Sequence, residues 1–319
     1  MAMTTVSAVQ QRFQWRAFFQ RYGLLLSFGL LCLALALGSD RFLTPDNLLN
    51  ILRQSAINGI ISVGMMLVIL TRGIDLSVGS MLALATIMTA DQLQQGMAPL
   101  PAILFCLAVG GALGLLNGLL VSVVRIPPFI ATLGMMTFAR GLALAYSGGQ
   151  PITGLGDGFR TIGTGFLGPI PMPVIIAAVI FIGGYVLLNH TPLGRHIFGL
   201  GDNERAAYLS GLPTRRITTL VYVLSGALSA LAGAILIARL NSAQPTAGLG
   251  FEFDAIAAVV VGGTSFEGGE GTLFGTLIGV LIIGVLNNGL NLLNVPSFYQ
   301  GVVQGAVIAL ALLLHRLIR

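Results

Sequence analysis

Long apolar runs separated by short polar breaks dominate this chain. Eight of them, at residues 22–38, 56–71, 101–124, 129–147, 172–189, 217–238, 272–290 and 298–314, approach or exceed the roughly 20 helical residues that cross about 30 Å of hydrocarbon. Two shorter apolar segments, 77–90 and 254–264, have lengths that also suit re-entrant or interfacial pieces. The pattern predicts an all-α polytopic membrane protein.

Arginines in short loops favour the cytoplasmic side, and they fix how many segments cross. With Arg12, Arg16 and Arg21 inside and both short segments crossing, the inside also receives Arg72, Arg125, Arg195, Arg205, Arg215, Arg216, Arg316 and Arg319. Only Arg41, Arg53, Arg160 and Arg239 then face outward. The balance predicts about ten spans with N- and C-termini cytoplasmic, arranged as a tail at 1–20 and one transmembrane domain at 21–319. The first apolar run has no small-x-small site before Asp40, so it reads as a retained span and not as a cleaved signal.

Composition agrees: 55% of residues are hydrophobic and 8% charged, far from the charged quarter of a soluble globule. The net charge of +5 comes from scattered arginines that form no patch, which argues against a nucleic-acid partner. All sixteen basic residues are arginines. Without a lysine the chain can form neither a phosphate-binding loop of the G-x-x-x-x-G-K-[ST] type nor a Schiff base through a lysine amine. His190, His196 and His315 lack metal-site spacing, and Cys32 and Cys106 sit in apolar runs as small hydrophobes. No catalytic constellation and no cofactor of the chain's own is expected.

One substantial polar stretch, GLGDNERAAYLSGLPTRR at 199–216, interrupts the apolar pattern. Asp202 or Asn203 can cap a helix at 204–209, Gly211 can end it, and Pro213 prevents its continuation. So short a helix needs something to pack on. It is either an ordinary connector or a grip for an engine outside the bilayer. A second polar block, TRGIDLSVG at 71–79, joins two spans with almost no loop. There Asp75 or Ser77 can cap the following helix, with Arg72 one turn away for a local ion pair. Alternatively Arg72, Gly73, Asp75 and Ser77 form a cytoplasm-side hinge or contact. Arg140 lies inside a span, where it can pair with a buried acid, snorkel or line a polar cavity. Two glycine rows at four-residue spacing, Gly110–Gly114–Gly118 and Gly271–Gly275–Gly279, suit close helix packing, or for some a place beside a permeating solute.

Asn117, Asn287, Asn288 and Asn291, with Gln300 and Gln304, are amides with no carboxylate among them. They suit a neutral hydroxylated solute and so make a candidate substrate path, or they serve hydrogen bonds between helices. All acids fall at the ends of the predicted spans or in loops, which counts against a proton- or sodium-coupled secondary transporter. A membrane-embedded enzyme lacks its nucleophile, base or metal set.

GMMLVILTRGIDLSVGSMLAL (64–84), FIATLGMMTFARG (129–141), LGRHIFGLGDNERAAYLSGL (193–212) and the long block from ARLNSAQPTAG to LNNGLNLL (238–293) resemble the membrane permease of bacterial ribose-type ABC importers. The resemblance runs over nearly the whole chain. It implies a multi-pass inner-membrane subunit paired with a second permease copy, as a homodimer. It further implies a cytoplasmic ATPase that uses ATP and Mg, and a periplasmic sugar-binding protein. Gly201, Asn203, Glu204, Ala206, Ala207, Ser210 and Gly211 match the family's ATPase-docking loop, so 190–216 is the expected coupling loop. Ribose is the implied solute, with xylose, galactose, arabinose or an autoinducer-like furanosyl compound as alternatives. The loop at 266–270 (FEGGE) is more acidic than the family pattern.

Overall fold

The computed structural model describes residues 23–296, together with 299, 301–303, 305, 306 and 309. Arg12, Arg16, Arg21, Gln300, Gln304, His315, Arg316 and Arg319 lie outside the described residues, and the last apolar run is described only in part. In chain order the elements are α1 (Gly23–Gly38), α2 (Pro45–Leu70), α3 (Val78–Gln94), α4 (Pro99–Ser122), α5 (Pro128–Ser147), β1 (Ile152–Thr153) and α6 (Asp157–Thr164). There follow β2 (Phe166–Leu167), β3 (Ile170–Pro171), α7 (Met172–His190), α8 (Pro192–Asp202), α9 (Glu204–Leu209), α10 (Thr214–Leu240), β4 (Ser242–Ala243), α11 (Phe251–Val261) and α12 (Leu273–Leu292).

Prolines start the long helices. Pro45, Pro99 and Pro128 occupy the first helical positions of α2, α4 and α5, where a missing N–H costs nothing and the fixed φ suits a helix. Gly148 and Asn241 close α5 and α10 in left-handed backbone. Among the described residues six helices, α2, α4, α5, α7, α10 and α12, are long and apolar enough to cross a membrane. The two short apolar segments are helices too. The 17 residues of α3 lie almost wholly inside the protein, whereas the 11 residues of α11 extend only about 16 Å, half the hydrocarbon thickness. By itself α11 is too short to cross as a helix, so a crossing at 254–264 has to take in the non-helical residues that flank it.

Burial places the centre. It covers 78% of the apolar window of α2 but 17% of that of α7, which sits at the periphery. The core is built from α2, α3 and α10. The glycine rows serve packing. A side chain at Gly110, Gly114 or Gly118 would strike the α10 backbone at Gly226, Tyr222 and Thr219, respectively. On the other row, Gly275 faces Gly262, Gly279 faces Ala258 and Gly271 faces Thr264.

Outside these helices, β1 pairs antiparallel with β4, and β2 with β3. With α6, whose Gly163 rests on the backbone at Ala238 and Arg239, the β1–β4 pair caps the C-terminal end of α10. The α8–α9 loop lies at the other end, roughly 40 Å away along a 27-residue helix. The apolar runs of the sequence leave the glycine-rich 148–171 region, which holds β1, α6, β2 and β3, unassigned.

Gly111 tests the packing by contrast with Gly114, because a methyl group there would meet only Val223 at 3.9 Å. Gly114→Ala is expected to lower the thermal unfolding midpoint in detergent, by the equivalent of about 1–3 kcal/mol of overpacking, while Gly111→Ala holds or raises it.

Candidate functional site

Between α7 and α10 the chain builds its outward-facing polar loop from local rules. The Thr191 hydroxyl accepts the Gly194 N–H at 3.2 Å and starts α8, with Pro192 at its first position. The Asn203 carboxamide oxygen accepts the Ala206 N–H at 2.9 Å and starts α9. Of the two capping candidates Asn203 does the work. The Leu212 N–H reaches back to the Ala207 carbonyl at 3.1 Å, a closure that uses the positive φ of 81° at Gly211. The helix predicted at 204–209 has those bounds.

α9 turns an unusual face outward. Glu204, Arg205 and Ala206 are exposed, Ser210 and Gly211 are exposed at its end, and Tyr208 and Leu209 are 68% and 76% exposed. Two large side chains on a six-residue helix form a surface that none of the described residues covers. Gly201 and Ala207 point the other way. Ala207 is buried in the core, and a side chain at Gly201 would collide with the Leu70 carbonyl and the Gly269 backbone. They seat the loop; the surface belongs to Glu204, Tyr208, Leu209 and their neighbours. Tyr208 and Leu209 carry no capping or charge signature in sequence, and only their exposure reveals them.

Arg72 braces this loop. It stands in left-handed backbone at φ 62° just past the end of α2, and its Nε and Nη2 donate to the carbonyls of Gly201 and Asp202, both at 2.6 Å. The expected ion pair with Asp75 is absent, because the guanidinium is spent on those two carbonyls. Gly73 next to it packs on Tyr222 and Val68 without room for a side chain. Two of the four residues singled out at 71–79 link elements within the chain: Arg72 reaches α8, while Asp75 reaches α10. The wholly buried Asp75 carboxylate accepts the Ser77 N–H (3.0 Å), the Ser77 hydroxyl (2.5 Å) and the Ser225 hydroxyl (3.0 Å). Ser77 holds the N-cap position of α3 but makes no capping bond, its hydroxyl oxygen accepting the Asn117 amide N–H instead.

A cleft of about 770 Å³ opens beside the loop, between α9, the α4–α5 linker and the start of α10; Arg72, Arg125, Glu204, Arg205, Tyr208 and Arg215 are among its lining residues.

The amides of the expected substrate path do not converge. Asn117 donates to the Ser77 hydroxyl at 2.8 Å and belongs to the Asp75 network. Asn288 and Asn47 bond reciprocally at 3.0 and 2.8 Å, joining α12 to α2. Asn287 interacts instead with the carboxylate of Asp254. The expectation that no carboxylate stands among these amides fails there. Asp75 lies in the turn between α2 and α3, and Glu252 and Asp254 in the first turn of α11, at ends and loops as expected, but all three are buried. The cause is tertiary, since the short helix α11 begins inside the protein. Arg140 uses its Nη1 to hold the Pro245 and Ala247 carbonyls at 2.7 and 2.8 Å, with Glu252 attracting it at longer range.

A family model described as the permease component of a branched-chain amino acid transport system matches residues 47–312. The chain belongs to that permease family. It is a multi-pass inner-membrane protein. Among curated relatives, it is 52% identical over 309 residues to the ribose import permease protein RbsC of Bacillus subtilis, covering 96% of each chain. It is 47% identical over 315 residues to RbsC of Escherichia coli K12, 98% of each. The D-allose transport system permease protein AlsC of the same organism is 40% identical over 311 residues, 96% of this chain and 94% of that one. No solved structure matches.

If Arg72 holds the loop, Arg72→Ala should speed amide hydrogen exchange at residues 199–206 by an amount set by two lost charge-assisted bonds, each worth about 1.5–3 kcal/mol. Exchange in the α5 amides should stay unchanged, and equal exchange in the loop with and without the guanidinium would show that the brace does not matter.

Proposed function

We propose that this permease is the membrane subunit of a ribose ABC importer, a homodimer of this chain powered by a separate cytoplasmic ATPase and fed by a periplasmic sugar-binding protein. The observation that carries the solute is full-length similarity at 52% and 47% to two proteins named as ribose import permeases. The family description names amino acids, but the relatives matched over nearly the whole chain are sugar permeases, with those for allose and galactose at 40% and 38%. Allose and galactose are thus the alternative solutes.

In this scheme 21–319 is one permease domain, and 190–216 is its coupling loop. Glu204, Ala206, Ser210 and Gly211, joined by Tyr208 and Leu209, present α9 to a groove on the ATPase, as short amphipathic helices dock in grooves. Gly201, Asn203 and Ala207 set its position. ATP and Mg act on the partner, since a chain without lysine has no phosphate-binding loop of the usual kind. The chain crosses the membrane about ten times with both termini in the cytoplasm.

An ion-coupled secondary transporter is the contrasting class. Buried Asp75 is the kind of residue such a protein uses, but its three donors are all intramolecular, which supports a structural role.

Reconstitution with the ATPase and binding protein should give ATP-dependent ribose uptake. Glu204→Lys, which reverses charge at the start of α9, and Gly211→Val, which forces a β-branched residue into left-handed backbone, should each cut uptake at least tenfold and weaken ATPase retention. Abundance in the membrane should stay near normal, and a fall in abundance parallel to uptake would reduce the loop to a connector. For topology, single cysteines replacing Arg205 and Asp157 should be modified only from the cytoplasm and only from the periplasm, respectively. Labelling of the first from outside intact cells would reverse the orientation.

A further inference from the structure

Three carboxylates of this permease are buried, and two of them, Asp75 and Asp254, are treated differently by their surroundings. Asp75 accepts three donors from its own chain. Asp254, in the first turn of α11, is 8% exposed and has a partner on one oxygen only. Asn58 of α2 donates its Nδ2–H to Oδ2 at 3.4 Å, while Oδ1 is buried without a hydrogen-bond partner among the described residues. Asn287 of α12 interacts with the same carboxylate.

A second unmet group lies close by in the fold. Ser55 precedes Asn58 by three residues on one face of α2, is 4% exposed, and its hydroxyl also has no partner. It backs onto Gly284, three residues before Asn287 on α12, where any side chain would strike the hydroxyl. Three helices thus bring together a carboxylate, two carboxamides and a hydroxyl, with an acceptor left open on each of two of them. Buried polar atoms left unpaired are rare in native proteins because each carries a desolvation penalty. The depth matters too. Asn58 is the fourteenth residue of the 26-residue α2, and α11 is a helix that starts inside the protein after left-handed Gly250. In transporters, interrupted helices at membrane depth are where the backbone opens onto a solute path.

We propose that Asp254, Asn58, Asn287 and Ser55 form a hydroxyl-binding subsite for the solute in transit, an inference that rests on the sugar-permease reading. The carboxylate accepts O–H donors from a neutral polyhydroxylated solute, and the two amides return N–H donors to its oxygens. The fixed negative charge repels phosphorylated or carboxylated solutes, so the subsite takes neutral sugars. It also separates Asn287 from Asn288, which pairs with Asn47, and from Asn117, whose amide N–H donates to Ser77 on another helix pair.

The test uses the reconstituted complex of permease, ATPase and binding protein, with ribose transported per ATP hydrolysed as the main readout and the thermal midpoint as the control for folding. Asp254→Asn keeps the shape, removes the charge and turns one of the two acceptor oxygens into an N–H donor. It should lower ribose per ATP about tenfold or more, retain ATP hydrolysis stimulated by the loaded binding protein, and hold or raise the midpoint because an uncompensated charge is gone. Asn58→Ala, on another helix, should give the same uncoupling, whereas Asn288→Ala should not. Unchanged ribose per ATP in Asp254→Asn and Asn58→Ala overturns the subsite, as does a loss of uptake that only follows a fall in midpoint. Wild-type uptake that collapses with a sodium or proton gradient would make Asp254 an ion site instead. A wild-type complex that moves no ribose under any condition removes the sugar reading itself, a result distinct from either.

Discussion

The backbone of α10 lies directly against that of α4, and the rest of the molecule is hung from that contact. Within a bilayer apolar side chains gain nothing from leaving lipid, so helices hold together where their backbones can come close. Gly110, Gly114 and Gly118 supply that closeness on α4, and Gly226 supplies it in return on α10. With α10 fixed, its start carries the α8–α9 loop, its middle receives Asp75 through Ser225, and its end holds β4 and α6. One helix therefore joins the polar loop at one face of the membrane to the cap at the other.

Polar groups inside this frame fall into two kinds. Asn47 and Asn288 close on each other, and Asn117 donates into the Ser77–Asp75 pair while its own Oδ1 has no hydrogen-bond partner among the described residues. Both sets bind helices to one another and stiffen the permease. Asp254 and Ser55 are open, and they sit where α11 interrupts the bilayer-spanning pattern. A rigid frame around a small unsatisfied region suits a protein that must admit a solute without dissolving its own packing.

How much of this is legible in sequence follows from the range of each interaction. The α9 helix, its Asn203 cap and its Gly211 terminator are readable because caps and breakers act within a few residues. The glycine rows are readable because four-residue spacing fixes a helix face before any partner is known. The Asp75–Ser225 bond spans 150 positions and leaves no local trace. The Arg72 brace ends on main-chain carbonyls, which have no residue identity to read, so the nearby Asp75 looks like the natural partner and is not. α11 reads as a crossing segment from charge balance, whereas its 11 residues and buried acidic start appear only once α2 and α12 are packed against it.

The choice of carbonyls as the target of Arg72 has a consequence for how this permease can evolve. A grip on the main chain is indifferent to the side chains it holds, so residues around 199–203 can change without loosening the brace, provided position 201 keeps its glycine. In the proposed coupling scheme the outward residues of α9 are then free to drift in step with the groove that receives them. Attachment to the permease and fit to the partner become separately variable, which lets one membrane scaffold follow the divergence of its engine without rebuilding its own interior.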